Sequence, residues 1–247
     1  MEAQTDTAKQ EIALKMKQAA GSAAVDALVK SGMKLGLGTG STAIHAIRRV
    51  GELLSQGVLS GISAFATSFQ SEIECEKLKI PFFPLNSREL AGGLDLTIDG
   101  ADEVDPQSYL IKGGGGAMLI EKLAAYASGA FAITVDESKV VNRSLGTGFP
   151  VPVEVIPEAR TSARLALEAM GAAVTLREAL RKAGPVITEH GNLILDIRFS
   201  KPVDPVALER EINFIPGVVE NGFFTRKRPV VYIAHLDGTV EVRGEAQ

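Results

Sequence analysis

Residues 95–123, DLTIDGADEVDPQSYLIKGGGGAMLIEKL, decide how the rest of the chain is read. Leu94, Leu96 and Ile98 alternate with Asp95, Thr97 and Asp99, the period-2 pattern of a strand with two different faces. Asp99 closes that strand, Gly100-Ala101 turn the chain, and Asp102 follows. Two carboxylates this close at a strand end are costly if buried without partners. A cation or a polyhydroxyl ligand relieves that cost, and Lys112 is the obvious cation. Each glycine of Gly113-Gly114-Gly115-Gly116 adds unfolded-state entropy that folding must remove. A run of four therefore implies a backbone task, either positive φ or close approach of main-chain N–H groups to a ligand. The segment Ala117–Ala127 predicts a helix with Leu119, Leu123 and Tyr126 on one apolar stripe. Glu121 lies one turn in, over Ala117. Helical side chains lean toward the N-terminus, so its carboxylate points back at the glycines. A base aimed at a ligand cradled by backbone amides is what proton transfer needs.

The 247 residues are enough for one large domain or two smaller ones. A composition of 45% hydrophobic and 23% charged residues describes an ordinary soluble globular chain. With 26 basic and 30 acidic side chains the net charge is −4, and no long run has a single sign. Nucleic acid and anionic membrane surfaces both demand a concentrated basic patch, so neither is expected as a partner. Cys75 is the sole cysteine, which excludes an internal disulfide and a cysteine-based metal site and fits a cytoplasmic, reducing compartment. It lies in a Glu- and Lys-rich segment without a histidine partner and reads as structural. No apolar run approaches the ~20 residues of a membrane span. Residues 1–10 are polar, lack a signal core, and read as a frayed start.

Outward from the central stretch, the pattern is that of a doubly wound α/β sheet. Ile12, Met16, Ala20, Ala23 and Leu28 step along an amphipathic helix that Gly32 ends. A strand at 33–37 runs into Gly36-Leu37-Gly38-Thr39-Gly40-Ser41-Thr42, and Ile44, Ile47 and Val50 define the next helix. A second strand at 62–67, a helix at 72–78, the strand at 94–99 and a fourth strand at 131–135 continue the alternation. Gly38 to Ala43 satisfies G-x-G-x-x-A, but the second strand ends in Thr67-Ser68 where a dinucleotide site needs an acid. No Gly-Lys-Ser/Thr is present, which excludes a Walker A loop. What remains is a loop whose N–H groups and hydroxyls (Thr39, Ser41, Thr42) suit a phosphate monoester, with a purely structural turn as the alternative.

Pro150, Pro152 and Pro157, spaced around Val151, Val153 and Val155, predict an edge or crossover strand leaving the first domain. Helices at 158–170 and 203–212 with strands at 172–177 and 192–198 then predict a small α+β domain. Strands at 229–236 and 239–242 flank Asp237-Gly238, a hairpin signal. Taken singly, the site residues have blander readings. Asp99 and Asp102 could cap a helix or ligate Mg²⁺, and a lone Glu121 would be a solvated helix residue. No histidine is near them in sequence, the three being His45, His190 and His235.

DGADEVD, KGGGGA and the following EK resemble ribose-5-phosphate isomerase of the A type. So do GLGTGSTA at 36–43, VDESK at 135–139, FPVPVEVIP at 149–157, GNLILD at 191–196 and IPGVVENGFF at 215–224. These motifs cover nearly the whole chain in the right order. The departures are Ile120 where relatives carry a basic residue, GFF where GLF is usual, and the bulky Phe69 after the second strand. The resemblance implies a Rossmann-like domain of residues 1–148 plus 222–247 and a small α+β domain of 149–221. It implies an enzyme with no cofactor or metal that interconverts ribose 5-phosphate and ribulose 5-phosphate through a cis-enediolate. Glu121 is the expected base, and Lys112 with the N–H groups of Gly113, Gly114 and Gly115 the oxyanion donors. Asp99 and Asp102, with Gly100 and Ala101, grip the sugar hydroxyls. Thr39, Gly40, Ser41 and Thr42 hold the phosphate, assisted by Lys139 and Lys17. A homodimer or homotetramer is expected. Two rival readings are a non-catalytic sugar-phosphate sensor and an acyl or CoA transferase with Glu121 as nucleophile.

Overall fold

A computed structural model describes the backbone of residues 2–245 and the side chains from residue 10 onward. The chain forms two compact units. The first comprises residues 1–100, 123–139 and 229–247, and the second 101–122 and 140–228. The expected division at 148/149 and 221/222 differs from this by assigning residues 140–148 and 222–228, and the segment 101–122, to the first domain. That segment belongs to the second unit because Leu110–Ile111 pairs with Glu103–Val104 on one side and with Phe223–Phe224 on the other.

The first unit carries α1 (Glu2–Leu28), β1 (Lys34–Leu37), α2 (Ala43–Ser55), β2 (Ser63–Ala66), α3 (Phe69–Leu78) and β3 (Leu94–Asp99). It shares α4 (Met118–Ala127) with the second unit and adds β6 (Ser128–Asp136), β12 (Val230–Ala234) and β13 (Val240–Arg243). Six strands form one sheet in the order β13-β12-β6-β3-β1-β2. All pairings are parallel except that of β13, which closes the edge as an antiparallel hairpin with β12. The Asp237-Gly238 turn is as expected: Gly238 has a φ of 86°, and Asp237 accepts hydrogen bonds from Thr239 N and Oγ1. The core is aliphatic, with Leu35, Leu37, Ile47, Val50, Leu96 and Ile98 packed together, and Cys75 sits fully buried within it.

Three details correct the sequence reading of this unit. The predicted two-faced strand at 94–99 is β3, but only Asp95 is exposed, because both neighbours in the sheet are strands and both faces are covered. The segment expected as a frayed start is helical backbone from Glu2, while Met1 lies outside the described residues. Ile12, placed on the buried stripe of α1, is exposed.

The second unit holds a four-stranded antiparallel sheet and a three-stranded one. The first consists of β7 (Val151–Val155), β8 (Ala172–Leu176), β9 (Leu193–Phe199) and β10 (Val218–Asn221), ordered β10-β7-β9-β8. The second is β4 (Glu103–Val104), β5 (Leu110–Ile111) and β11 (Phe223–Phe224). Helices α5 (Arg160–Ala169) and α6 (Pro205–Asn213) cover an apolar core that includes Val153, Leu167, Leu195, Ile212 and Phe223. β7 is therefore an interior strand, buried at all five positions, and not the edge or crossover strand that its prolines suggested. The sheet tolerates Pro152 because its ring and nitrogen face Gly222. A Cβ there would lie 2.5 Å from the Pro152 Cδ, so a residue without a side chain stands opposite the residue without an N–H. Gly222 N–H still donates to the Pro152 carbonyl at 2.7 Å.

Candidate active site

Each unit carries one part of the constellation read from the sequence. In the first, the loop Gly38–Thr42 leaves the carboxyl end of β1 and opens α2, which places a helix N-terminus at the carboxyl edge of the sheet. Gly38 continues the ladder by donating to the Ile98 carbonyl at 3.0 Å. It must be glycine, because a Cβ would lie 2.1 Å from Asp99 Oδ1. Asp99 is fully buried, and its Oδ1 accepts the N–H of Thr39 at 3.0 Å and of Gly100 at 2.7 Å.

The Thr39 hydroxyl does not stand open. It bonds Ser68 Oγ at 2.6 Å and Thr67 Oγ1 at 2.7 Å, tying the loop to the start of α3. Gly40 has a φ of 106°, and its N–H donates to Gln70 Oε1 at 2.9 Å. Ser41 Oγ accepts from Lys17 Nζ at 2.9 Å, so a lysine with no motif around it does reach the loop. Thr42 is the buried N-cap of α2 and makes no side-chain cap bond. Lys139 is half-buried on the 3-10 turn after β6, at the same carboxyl edge. Phe69 is 59% exposed and does not crowd the loop. His45, one turn into α2, is buried and has its pKa lowered, first by desolvation and then by the positive charges of Arg48 and Lys17. Its surroundings favour the neutral imidazole, a feature the sequence reading did not single out.

In the second unit the acids, the lysine and the glycines are brought together. Asp102 follows the half-buried Ala101, donates its N–H to the Ile111 carbonyl at 2.8 Å, and accepts the Gly114 N–H on Oδ2 at 2.7 Å. Gly113 has a φ of 99°, and a Cβ on Gly114 would fall 2.6 Å from Asp102 Oδ1. The glycine run is thus required by geometry at consecutive positions, while Gly114 and Gly115 themselves are exposed. Lys112, 2% exposed, ion-pairs through Nζ with Glu121 Oε2 at 3.3 Å, and Glu121 is 4% exposed. The Glu121 N–H donates to the Ala117 carbonyl, as its position one turn into α4 requires.

The buried side of α4 is not the predicted stripe. Leu123 is 47% exposed, and Leu119 and Tyr126 are half-buried. Met118, Glu121, Lys122, Ala124 and Ala125 face inward. The helix buries charge because partners meet it. Lys122 Nζ reaches Glu209 at 3.2 Å, Glu220 at 2.9 Å and the Asn221 carbonyl at 2.7 Å. Its ammonium also lies 4.8 Å from the Phe224 ring centroid, and that of Lys112 lies 5.6 Å from it.

The sequence reading also missed Arg177, whose Nη1 donates to the carbonyls of Gly113 at 2.9 Å and Gly114 at 3.1 Å. Its Nε and Nη2 grip Asp196 at 2.8 and 2.5 Å. Among the described residues, no three His, Cys, Asp or Glu side chains gather as a metal-ligand set. No helix among them is long and apolar enough to cross a membrane.

Residues 63–238 match the family model of ribose 5-phosphate isomerase A (phosphoriboisomerase A). The ribose-5-phosphate isomerase A of Treponema denticola is 56% identical over 212 residues, 85% of this chain and 88% of that protein. The Treponema pallidum protein of the same name is 52% identical over 226 residues, 89% of each chain. Among solved structures, ribose 5-phosphate isomerase A from Methanocaldococcus jannaschii superposes with a TM-score of 0.86 at 42% identity, covering 93% of this chain and 98% of that one. A D-ribose-5-phosphate isomerase in complex with phospho-erythronic acid gives 0.87 at 38% identity, with the same coverage. The chain belongs to the ribose 5-phosphate isomerase A family.

Proposed function

We propose that this enzyme interconverts ribose 5-phosphate and ribulose 5-phosphate by proton transfer between C2 and C1, with Glu121 as the base. The observation that carries the reading is the buried pair of Glu121 and Lys112 beside a glycine loop whose Gly114 and Gly115 are exposed. In the open-chain aldose, Glu121 takes the C2 proton. The C–H electron pair forms the C1=C2 bond, and the carbonyl electrons move onto O1. Lys112 and the N–H groups of Gly113, Gly114 and Gly115 stabilise that oxygen, a donor being worth about 10²–10³ in rate. The O2 proton passes to O1, C2=O forms, and Glu121 returns its proton to C1. A positioned base contributes about 10²–10⁴. Asp99 and Asp102, aided by the turn at Gly100 and Ala101, grip the hydroxyls and assist ring opening. Thr39, Gly40, Ser41 and Thr42 take the phosphate with Lys17 and Lys139.

The lone buried Cys75 supports a reducing cytoplasmic setting. The open edge strand β8 supports assembly into a homodimer or homotetramer. Deuterium wash-in from D2O during isomerisation tests the chemistry, comparing wild type in EDTA with Glu121→Gln. Turnover and exchange should survive chelation in wild type, and both should vanish in the variant while sugar-phosphate binding persists. A variant that still exchanges, or a wild type silenced by EDTA, overturns the role given to Glu121.

A further inference from the structure

We propose that Arg177 is a positioning residue for the reaction. By holding two carbonyls of the glycine loop, it seats the Gly114 N–H on Asp102 and turns the Gly115 N–H to the same side, toward the oxygen that gains charge. The proposal rests on the isomerase reading of that loop. Arg177 lies just beyond β8, and its guanidinium is fixed on one edge by both oxygens of Asp196 on β9. A planar fork anchored in this way has the directions of its remaining N–H bonds set in advance. They meet the carbonyls of Gly113 and Gly114 at 2.9 and 3.1 Å.

The described peptides are all trans, so each carbonyl and the N–H that follows it point to opposite sides of the chain. A Gly113 carbonyl directed at Arg177 sends the Gly114 N–H the other way, and that N–H does meet Asp102 Oδ2 at 2.7 Å. A Gly114 carbonyl directed at Arg177 sends the Gly115 N–H to the same side. Glycine adopts either sign of φ with little penalty, so an unclamped run of four would sample flipped peptide planes. A flipped plane presents a carbonyl oxygen to an enediolate and repels it. The clamp removes that alternative without itself touching substrate.

Full-length Arg177→Lys and Asp196→Asn should be compared with wild type for kcat, KM, and inhibition by inorganic phosphate and by phospho-erythronic acid. The latter has a carboxylate whose two oxygens resemble those of the enediolate. In Arg177→Lys, kcat should fall by about 10²-fold, the cost of one misplaced oxyanion donor. Phospho-erythronic acid should weaken with it, whereas KM and phosphate inhibition should hardly move. Asp196→Asn, which keeps the shape of the anchor, should show the same pattern to a smaller extent. A kcat close to wild type, or equal weakening of both inhibitors, overturns the clamp. If wild type itself fails to isomerise ribose 5-phosphate, the isomerase reading falls, and selective weakening of phospho-erythronic acid still decides the role of Arg177.

Discussion

Two glycine-rich loops precede helices in this chain, and they are built on opposite plans. Gly38–Thr42 in the first unit is held mainly by neutral groups, with one acid and one lysine: Thr39 bonds Ser68, Gly40 bonds Gln70, Gly38 makes room for Asp99, and Lys17 donates to Ser41. The helix behind it, α2, buries Ala46, Ile47 and Val50. Gly113–Gly116 in the second unit is held by ions, with Arg177 on its carbonyls and Asp102 on an amide. The helix behind that loop buries Glu121 and Lys122. A loop framed by hydroxyls and amides suits recognition of a fixed anion. A loop framed by paired charges suits a step in which charge moves, because its dipoles are already oriented when the charge develops. Under the proposed mechanism, similar glycine signals serve binding in one place and chemistry in the other.

The largest effect that would sharpen this contrast is expected at Lys122. Replacing it with methionine removes the ammonium that buried Glu209 and half-buried Glu220 share, which should cost about 3–5 kcal/mol. Urea denaturation measures it. A variant as stable as wild type would mean that the charges on this face of α4 are not what holds it.

Next come paired alanine substitutions. Gly114→Ala drives a Cβ against Asp102 and should lower kcat about 10- to 100-fold. Gly40→Ala meets open space but strains a residue at a φ of 106°, costing about 1 kcal/mol. It should raise KM and spare kcat. If both variants changed the same kinetic constant, the division of labour between the loops would fail.

These two loops also mark what could be read in advance. The strand, glycine turn and helix of Leu37 to Val50 are local in sequence, as is the Asp237-Gly238 hairpin, so period and turn chemistry identify them. Glu121 was legible because one helical turn fixes it relative to the glycines. Arg177 was not, since it meets Gly113 across 64 positions of sequence with no local pattern to announce it. The two-residue strands β4, β5 and β11 are too short to show a period. The burial of α4 misled for a physical reason. An apolar stripe of Leu119, Leu123 and Tyr126 implies an inward face only where no charged partner competes. Glu209, Glu220 and Asn221 arrive from distant segments to solvate Lys122 instead.

A smaller effect is expected at Gln70, whose side-chain carbonyl occupies the Gly40 N–H. Gln70→Ala frees that donor, so inorganic phosphate should inhibit about 2- to 10-fold more tightly, the worth of one neutral hydrogen bond. Inhibition that weakens would show Gln70 to be a ligand and not a placeholder.

The smallest effect is the pH response of His45. Its folded pKa lies below the ordinary 6.5, so the neutral ring is favoured. That stabilisation is complete above 6.5 and is lost as pH falls through the lowered value. Thermal midpoints should therefore drop between pH 7 and pH 5 more steeply in wild type than in His45→Gln. Parallel curves would remove His45 from the account.

Cys75 turns burial into an instrument. The molecule has one thiol, enclosed in the aliphatic core of the first unit, and burial pushes its pKa up to about 12. At neutral pH it is a poor nucleophile behind a closed door. A disulfide reagent can capture it only when that core opens, so trapping rates in native buffer time the opening of the first unit alone. The second unit contains no cysteine and stays silent in the same experiment. The chain thus carries its own clock for one half of its stability, with no label added and no residue changed.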